Sequence, residues 1–292
     1  MTGLDTSRGY RGSSAKAVQQ HYDLSNEFYG LWLDPGRTYS CALWADGDTL
    51  ESAQNRKLDY LIEGARATGA ERVLDVGCGW GSLLLRLTEQ HGVRHAVGLT
   101  LSRQQAAWID ALGRPRCEVR LQNWIDHPVD EHYDAIISIG AFEHFARSGL
   151  SRRDRIAGYR EFFQRCRSWL PSGGRLALQT NVKGNNPRVD RKTAREMLFI
   201  NDLIFPETEI PRPSEVLEAS ENLFDPKVAR NDPDHYARTT REWYDGLRAR
   251  REEAIDLVGA TQTASYLRYL SAVSDHFHRR HIGLLRITFE AV

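Results

Sequence analysis

The sequence has no charge of one sign to spend. Its 39 lysines and arginines balance its 39 aspartates and glutamates. This argues against general nucleic-acid binding and against a strongly cationic membrane-binding face. Cysteine is scarce. Cys41, Cys78, Cys117 and Cys166 stand far apart with no CxxC pair, so neither a zinc knuckle nor a disulfide scaffold is expected. No apolar run reaches the roughly 18 residues of a membrane-crossing helix, and there is no signal peptide. The expectation is a reduced, cytoplasmic protein without an integral membrane segment. The familiar dinucleotide spacing G-x-G-x-x-G and a Walker lysine are also missing from its glycine loop.

What is present starts with that loop. Val73, Leu74 and Val76 form a short apolar run that reads as a buried strand, interrupted by Asp75. Gly77, Gly79 and Gly81 follow at every second position, and Leu83, Leu84, Leu85 and Leu87 open a helix. Strand, glycine turn and helix is the layout of a nucleotide-type site in a parallel α/β sheet. A structural glycine turn is the alternative. The form VLDxGxGxG resembles the first motif of class I methyltransferases that use S-adenosylmethionine (SAM).

Hydrophobic residues make up 41% of the 292, enough for a real core, and the length fits one large α/β domain with insertions. Residues 1–14 are polar and expected to be flexible. Val18, Tyr22, Phe28, Leu31 and Trp32 suggest amphipathic helix around a polar break, and Thr49 and Glu51 lead another helix through Leu61. Between them, the segment from Thr38 to Trp44 reads as core-facing or binding. Further strands are expected at His95–Thr100, Glu118–Trp124, Tyr133–Ile139 and Arg175–Thr180, with Tyr133–Ile139 nearly continuous in apolar residues as a buried parallel strand should be. Residues 150–170 form an amphipathic helix. Residues 181–192 read as a loop, Met197 to Phe205 as an apolar helical piece, Leu217 to Asp225 and Ala264 to Phe277 as helices, and Ile282 to Ala291 as a closing strand. His276, His278 and His281 invite a metal reading, but no strand or loop supplies matched ligands, so no metal is expected.

Several segments together resemble the cyclopropane-fatty-acid synthase and mycolic acid cyclopropane synthase family: HYDLSNEFYGLWLDPGRTYSCALW, VLDVGCGWGSLLL, GLTLSRQQ, SIGAFEHF, LIFPETEIP, HYARTTREWYDGL and YLRYLSAVSDHF. The likeness runs from about residue 17 to the end and is to the shorter, mycolic-type members. It implies a class I methyltransferase fold: a Rossmann-like α/β sheet with helices on both faces and a helical insertion over the site. The expected division is a helical cover at 15–70, a SAM-binding core at 71–180, a lid and substrate region at 181–250, and a C-terminal helix and strand at 251–292.

The resemblance also implies residue roles. SAM should lie against Gly77 and Gly79, with Tyr39, Ser40, Asp75, Thr100, Leu101, Gln105 and Trp124 around it. Trp124 reads equally well as core. In the family a bound bicarbonate is thought to remove the proton that closes the cyclopropane, and the residues matching its site are Cys41, Ile139, Glu143 and Tyr236. The family's histidine donor is replaced here by Gln179, which carries no charge. That departure argues against bicarbonate and for a methyltransferase that stops at a methylated product. Glu143 alone would read as a functional carboxylate at a strand end or as an acid at a helix N-terminus. Tyr22, Phe28, Phe142 and Phe205 are candidates for the acceptor wall, with core packing the alternative for Phe28 above all.

The function expected is methyl transfer from SAM to an electron-rich carbon, alkene or aromatic, of an apolar acyl chain or small natural product, free or carrier-bound. The alternatives are N- or O-methylation of a small molecule on the same scaffold and an inactive SAM-binding partner protein, against which the intact DVGCGWG and AFEHF segments count.

Overall fold

The computed structural model describes residues 10–292, apart from the side chains of Gln20 and His21. Helix α1 (Ala15–Tyr22) is capped by Ser14, α2 (Asn26–Gly30) by Ser25, and α3 (Leu50–Gly64) by a Thr49–Ser52 capping box. These caps satisfy backbone N–H groups that the first helical turn leaves unpaired. Most of the expected flexible N-terminus lies outside the described residues. Its last part is pinned instead, the Ser13 N–H donating to the His144 carbonyl at 2.8 Å.

The sheet then builds in βα steps: β1 (Arg72–Val76), α4 (Ser82–Glu89), β2 (His95–Thr100), α5 (Arg103–Ala111), β3 (Cys117–Leu121), β4 (Ala135–Ile139), α6 (Arg152–Trp169) and β5 (Arg175–Lys183). These five strands are parallel, as apolar runs joined by helices dictate. Beyond β5 come α7 (Arg191–Phe199), a π-helical turn at Ile200–Ile204, α8 (Pro213–Ser220), β6 (Phe224–Asn231), α9 (Pro233–Ala249), α10 (Arg251–Val258), α11 (Ala260–His278) and β7 (Ile282–Ala291). The sheet has seven strands in the order β3-β2-β1-β4-β5-β7-β6, with β7 antiparallel to both neighbours. Chain direction reverses its march between β1 and β4, which opens a crevice at the carboxyl ends of those strands.

Two expectations are corrected. Leu217 to Asp225 is not one helix, because α8 ends at Ser220 and Phe224 starts an edge strand. The 181–250 stretch is therefore not a continuous lid: its first residues finish β5 and its middle supplies β6. Residues 185–212, with α9 and α11, stand over the carboxyl edge.

One core lies between the sheet and α6, another between the sheet and α3–α4. A third, rich in aromatic residues, joins α2, α9, α10 and α11 above the sheet. All four cysteines are free. No helix among the described residues is long and apolar enough to cross a membrane.

Candidate active site

Two cavities meet at the carboxyl edge of the sheet. The first is walled by the turns that follow β1 to β4. Its wall includes Tyr39, Ser40, Asp75, Gly77 and Gly79, and on its other side Thr100, Leu101, Gln105 and Trp124, with Ile139 at the end of β4. Gly77 has φ +88°, and a Cβ there would sit 2.4 Å from the Ala141 side chain. Gly79 has φ +54° and open space where a Cβ would go. Both are backbone conformations that a side chain disfavours, and at Gly79 the space a side chain would fill belongs to the cavity. The α4 N-terminus, at Ser82 and Leu83, also faces it, as suits a group with negative charge.

The polar atoms here fit a charged organic ligand. Asp75 is buried and its Oδ1 has no hydrogen-bond partner. Burial pushes its carboxyl up to about 7, with the Lys57 charge opposing. Thr100 Oγ1 donates to Gln105 Oε1 at 2.7 Å, fixing the side chain at the start of α5. Trp124 packs edge-on to Phe162 and tilted against Phe145 while one side lines the cavity, so it serves core and wall at once.

Lys57 was not singled out by sequence reasoning. It is fully buried on α3, lines this cavity, and its Nζ donates to Ser40 Oγ at 2.8 Å. Burial, and then repulsion from Arg286, bring its ammonium down to about 7. The signal was available: Ala53, Lys57 and Leu61 fall on one helical stripe, and a lysine among apolar neighbours at that spacing needs a buried partner.

The second cavity, about 600 Å³, lies above the first. Tyr22, Tyr39, Gly140 and His144 belong to both walls and mark where the two meet. Its remaining surface is mixed: Met197, Ile200, Phe205, Ile210, Tyr236, Tyr269, Val273 and Phe277 are apolar or aromatic, and Asn181, Lys183, Asn186, Asn201, Glu209 and Arg212 are polar. Tyr236 stacks on Phe277 with centroids 4.4 Å apart.

Glu143 stands in this second wall close to the seam. It is 5% exposed. Its Oε1 accepts the Asn181 N–H at 2.7 Å, and its Oε2 has no partner. Burial pushes the carboxyl up to about 7, opposed by that backbone donor. His144 beside it is driven down to about 4 by burial, hence neutral, with Nδ1 3.0 Å from the Thr208 hydroxyl.

Four expected residues lie outside both walls. Phe142 and Phe145 are three apart in a tight turn, so they share a side and point into the core. Phe142 stacks on Tyr159 at 4.6 Å, which leaves Glu143 and His144 to face the cavity. Phe28 is fully buried against Tyr29, Trp32 and Tyr266. Both therefore belong to the core rather than the acceptor wall. Cys41 and Gln179 are held in a buried network around Arg286. The guanidinium donates to Gln179 Oε1 at 2.7 Å, to the carbonyls of Cys41 and Ala42 at 3.2 and 3.0 Å, and to Asp232. Gln179 Nε2 reaches the Cys41 carbonyl at 3.5 Å. Among the described residues no group of three or more His, Cys, Asp or Glu is arranged to hold a metal.

The seven-stranded order with an antiparallel β7, and a glycine-walled crevice beyond β1, define a SAM-dependent methyltransferase of class I. The family model described as mycolic acid cyclopropane synthetase matches residues 11–287, and the chain belongs to that family. Cyclopropane mycolic acid synthase 2 of Mycobacterium leprae is 38% identical, over 94% of this chain and 92% of its own. The structure of the cyclopropane synthase MmaA2 from Mycobacterium tuberculosis superposes with a TM-score of 0.88 at 32% identity, covering 96% of this chain and 99% of that one. Mycolic acid cyclopropane synthase CmaA1, complexed with SAH and CTAB, gives 0.86 at 34% identity over 96% and 99%. The protein is an enzyme of this family and its cofactor is SAM.

Proposed function

We propose that this enzyme transfers a methyl group to an electron-rich carbon, an alkene carbon above all, of a largely apolar acyl chain seated in the second cavity, free or on a carrier. It works in the cytoplasm, consistent with four free thiols. The observation that carries this reading is the seam: a buried carboxylate with one unpartnered oxygen, between a glycine-walled cavity and a roomy, partly apolar one.

SAM, when bound, supplies an electrophilic methyl group. Gly77, Gly79, Ser40 and Gln105 would hold it against the sheet edge, and Tyr22 and Tyr39 at the seam would keep water from the reacting carbon. The acceptor needs no activation if its nucleophile is a C=C bond. Once methylated it carries a positive charge on carbon. The faces of the surrounding aromatic rings stabilise such a charge, and a proton must then leave. Glu143 Oε2 takes it, the C–H electron pair re-forming a double bond. A carboxyl near 7 is suited to a base working at neutral pH.

The same geometry supports a methylated rather than a cyclopropane product. The Arg286 donors are already spent on Gln179, Cys41, Ala42 and Asp232, so little is left there to hold a bicarbonate. Mass spectrometry of reactions with alkenes, indoles and acyl carriers tests the reading. Carbon-methylated acyl chains are expected, whereas methylation only of amine or hydroxyl groups would overturn it.

A further inference from the structure

The second cavity is not apolar throughout. Besides the groups near the seam, α11 and the turn into β7 place two histidines in its wall. His276 and His281 are 1% and 6% exposed, with ring centroids 6.0 Å apart. Both nitrogens of His276 and the Nε2 of His281 have no hydrogen-bond partner. Buried polar atoms are seldom left so, because each unmet group loses its hydration without a return. Three in one patch of cavity wall point to a ligand that meets them.

Their chemistry narrows what that ligand presents. His281 Nδ1 lies 3.4 Å from the Asn186 carbonyl oxygen. A carbonyl only accepts, so Nδ1 supplies the hydrogen of that contact, and Nε2 is left without a partner. Burial, with His281 alongside, holds His276 below the usual histidine range, so its neutral ring offers one donor and one acceptor. A group that donates to one ring and accepts from the other matches this pair, and a hydroxyl does both. Their place follows from the strands. Gly184, whose N–H bonds the His281 carbonyl at 2.9 Å, is three residues beyond Asn181, the partner of Glu143. At ~3.3 Å per residue that is on the order of 10 Å along the cavity.

We propose that His276 and His281 form a hydroxyl-recognising subsite, so that the acceptor is a hydroxylated acyl or alkyl chain rather than a plain hydrocarbon chain. This rests on the acceptor reading above.

The test uses saturated ligands, which cannot be methylated at a double bond and so isolate recognition from chemistry. Twelve-carbon alcohols with the hydroxyl at successive positions, and dodecane, compete with a fluorescent alkyl probe on the wild-type enzyme. The best alcohol is expected to displace the probe at a concentration about tenfold lower than dodecane, the scale of one satisfied buried pair. Only that alcohol should move the side-chain ¹⁵N shifts of the two rings. In the double variant His276→Phe, His281→Phe the preference should fall below about twofold, and its melting temperature should rise as orphaned nitrogens are removed. Equal displacement by alcohol and alkane in the wild type overturns the subsite and leaves the apolar cavity standing. Failure of every ligand to displace the probe overturns both. An alcohol preference without turnover of any alkene would sustain the subsite and sink the proposed reaction.

Discussion

The two cavities are made of different material. The first cavity, the proposed cofactor site, is framed by turns at the ends of parallel strands, positive-φ glycines among them, and closed by side chains such as Tyr39, Ser40 and Lys57 from the segments before β1. The second cavity, the proposed acceptor site, is walled largely by side chains from beyond β5, among them residues of α7, the π-helical turn, α9 and α11. A cavity of the first kind tolerates little change, because a Cβ at the wrong place fills it. One of the second kind can change its ligand one side chain at a time while the sheet beneath stays the same. Glu143 stands where they touch, so substitutions there and on either side should separate chemistry, cofactor binding and acceptor binding.

The largest effect is expected at the seam. Glu143→Gln should lower kcat by roughly two to four orders of magnitude, the scale of losing a general base, and leave SAM affinity unchanged by calorimetry. Loss of SAM binding would put Glu143 in the wrong cavity. In the wild type only the ionised carboxylate takes a proton, so kcat should climb with pH and level off above about 7. Stability should run the other way. The folded carboxyl keeps its proton up to about 7 and the unfolded one releases it near 4.5, so stability falls as pH rises through that window. Glu143→Gln should therefore raise the melting temperature at pH 8 but not at pH 4.

On the cofactor side, Gly79→Val should weaken SAM binding at least about tenfold, since the added side chain would stand in the open space that the cavity occupies at Gly79. Its far-ultraviolet circular dichroism should match the wild type. Normal SAM affinity in that folded variant would break the comparison. On the acceptor side the effect should be smaller. Met197→Ala with Phe205→Ala should raise the acceptor KM several-fold and leave the KM for SAM alone. A shift in both would mean that the two cavities are not separable.

The same contrast explains what could be read from the chain. Asp75, Gly77 and Gly79 sit together in sequence as in space, and Glu143 follows its strand directly, so a short motif carries each. Lys57 was overlooked because its partner Ser40 is 17 residues away and a lone lysine on a helix ordinarily faces water. Strand β6 hid because it is an edge. Only Phe224 in it is buried, and Pro226 adjoins its register shift, so no alternation marks it. Phe28 and Phe142 fall in the core because aromatic type does not reveal which side of a turn a ring takes. His276 and His281 stood out only as a metal possibility. What they share, unpartnered nitrogens on a common cavity, is a property of packing that no sequence pattern carries.

Methyl transfer to carbon, completed by the protein's own carboxylate, can be tested directly. The most direct test gives the enzyme an alkenyl acceptor and SAM carrying a fully deuterated methyl group, in buffer stripped of carbonate. Undiminished turnover is expected, with a product that keeps all three deuterium atoms in its new methyl group. A cyclopropane retaining two of them, formed only when bicarbonate is restored, would contradict it.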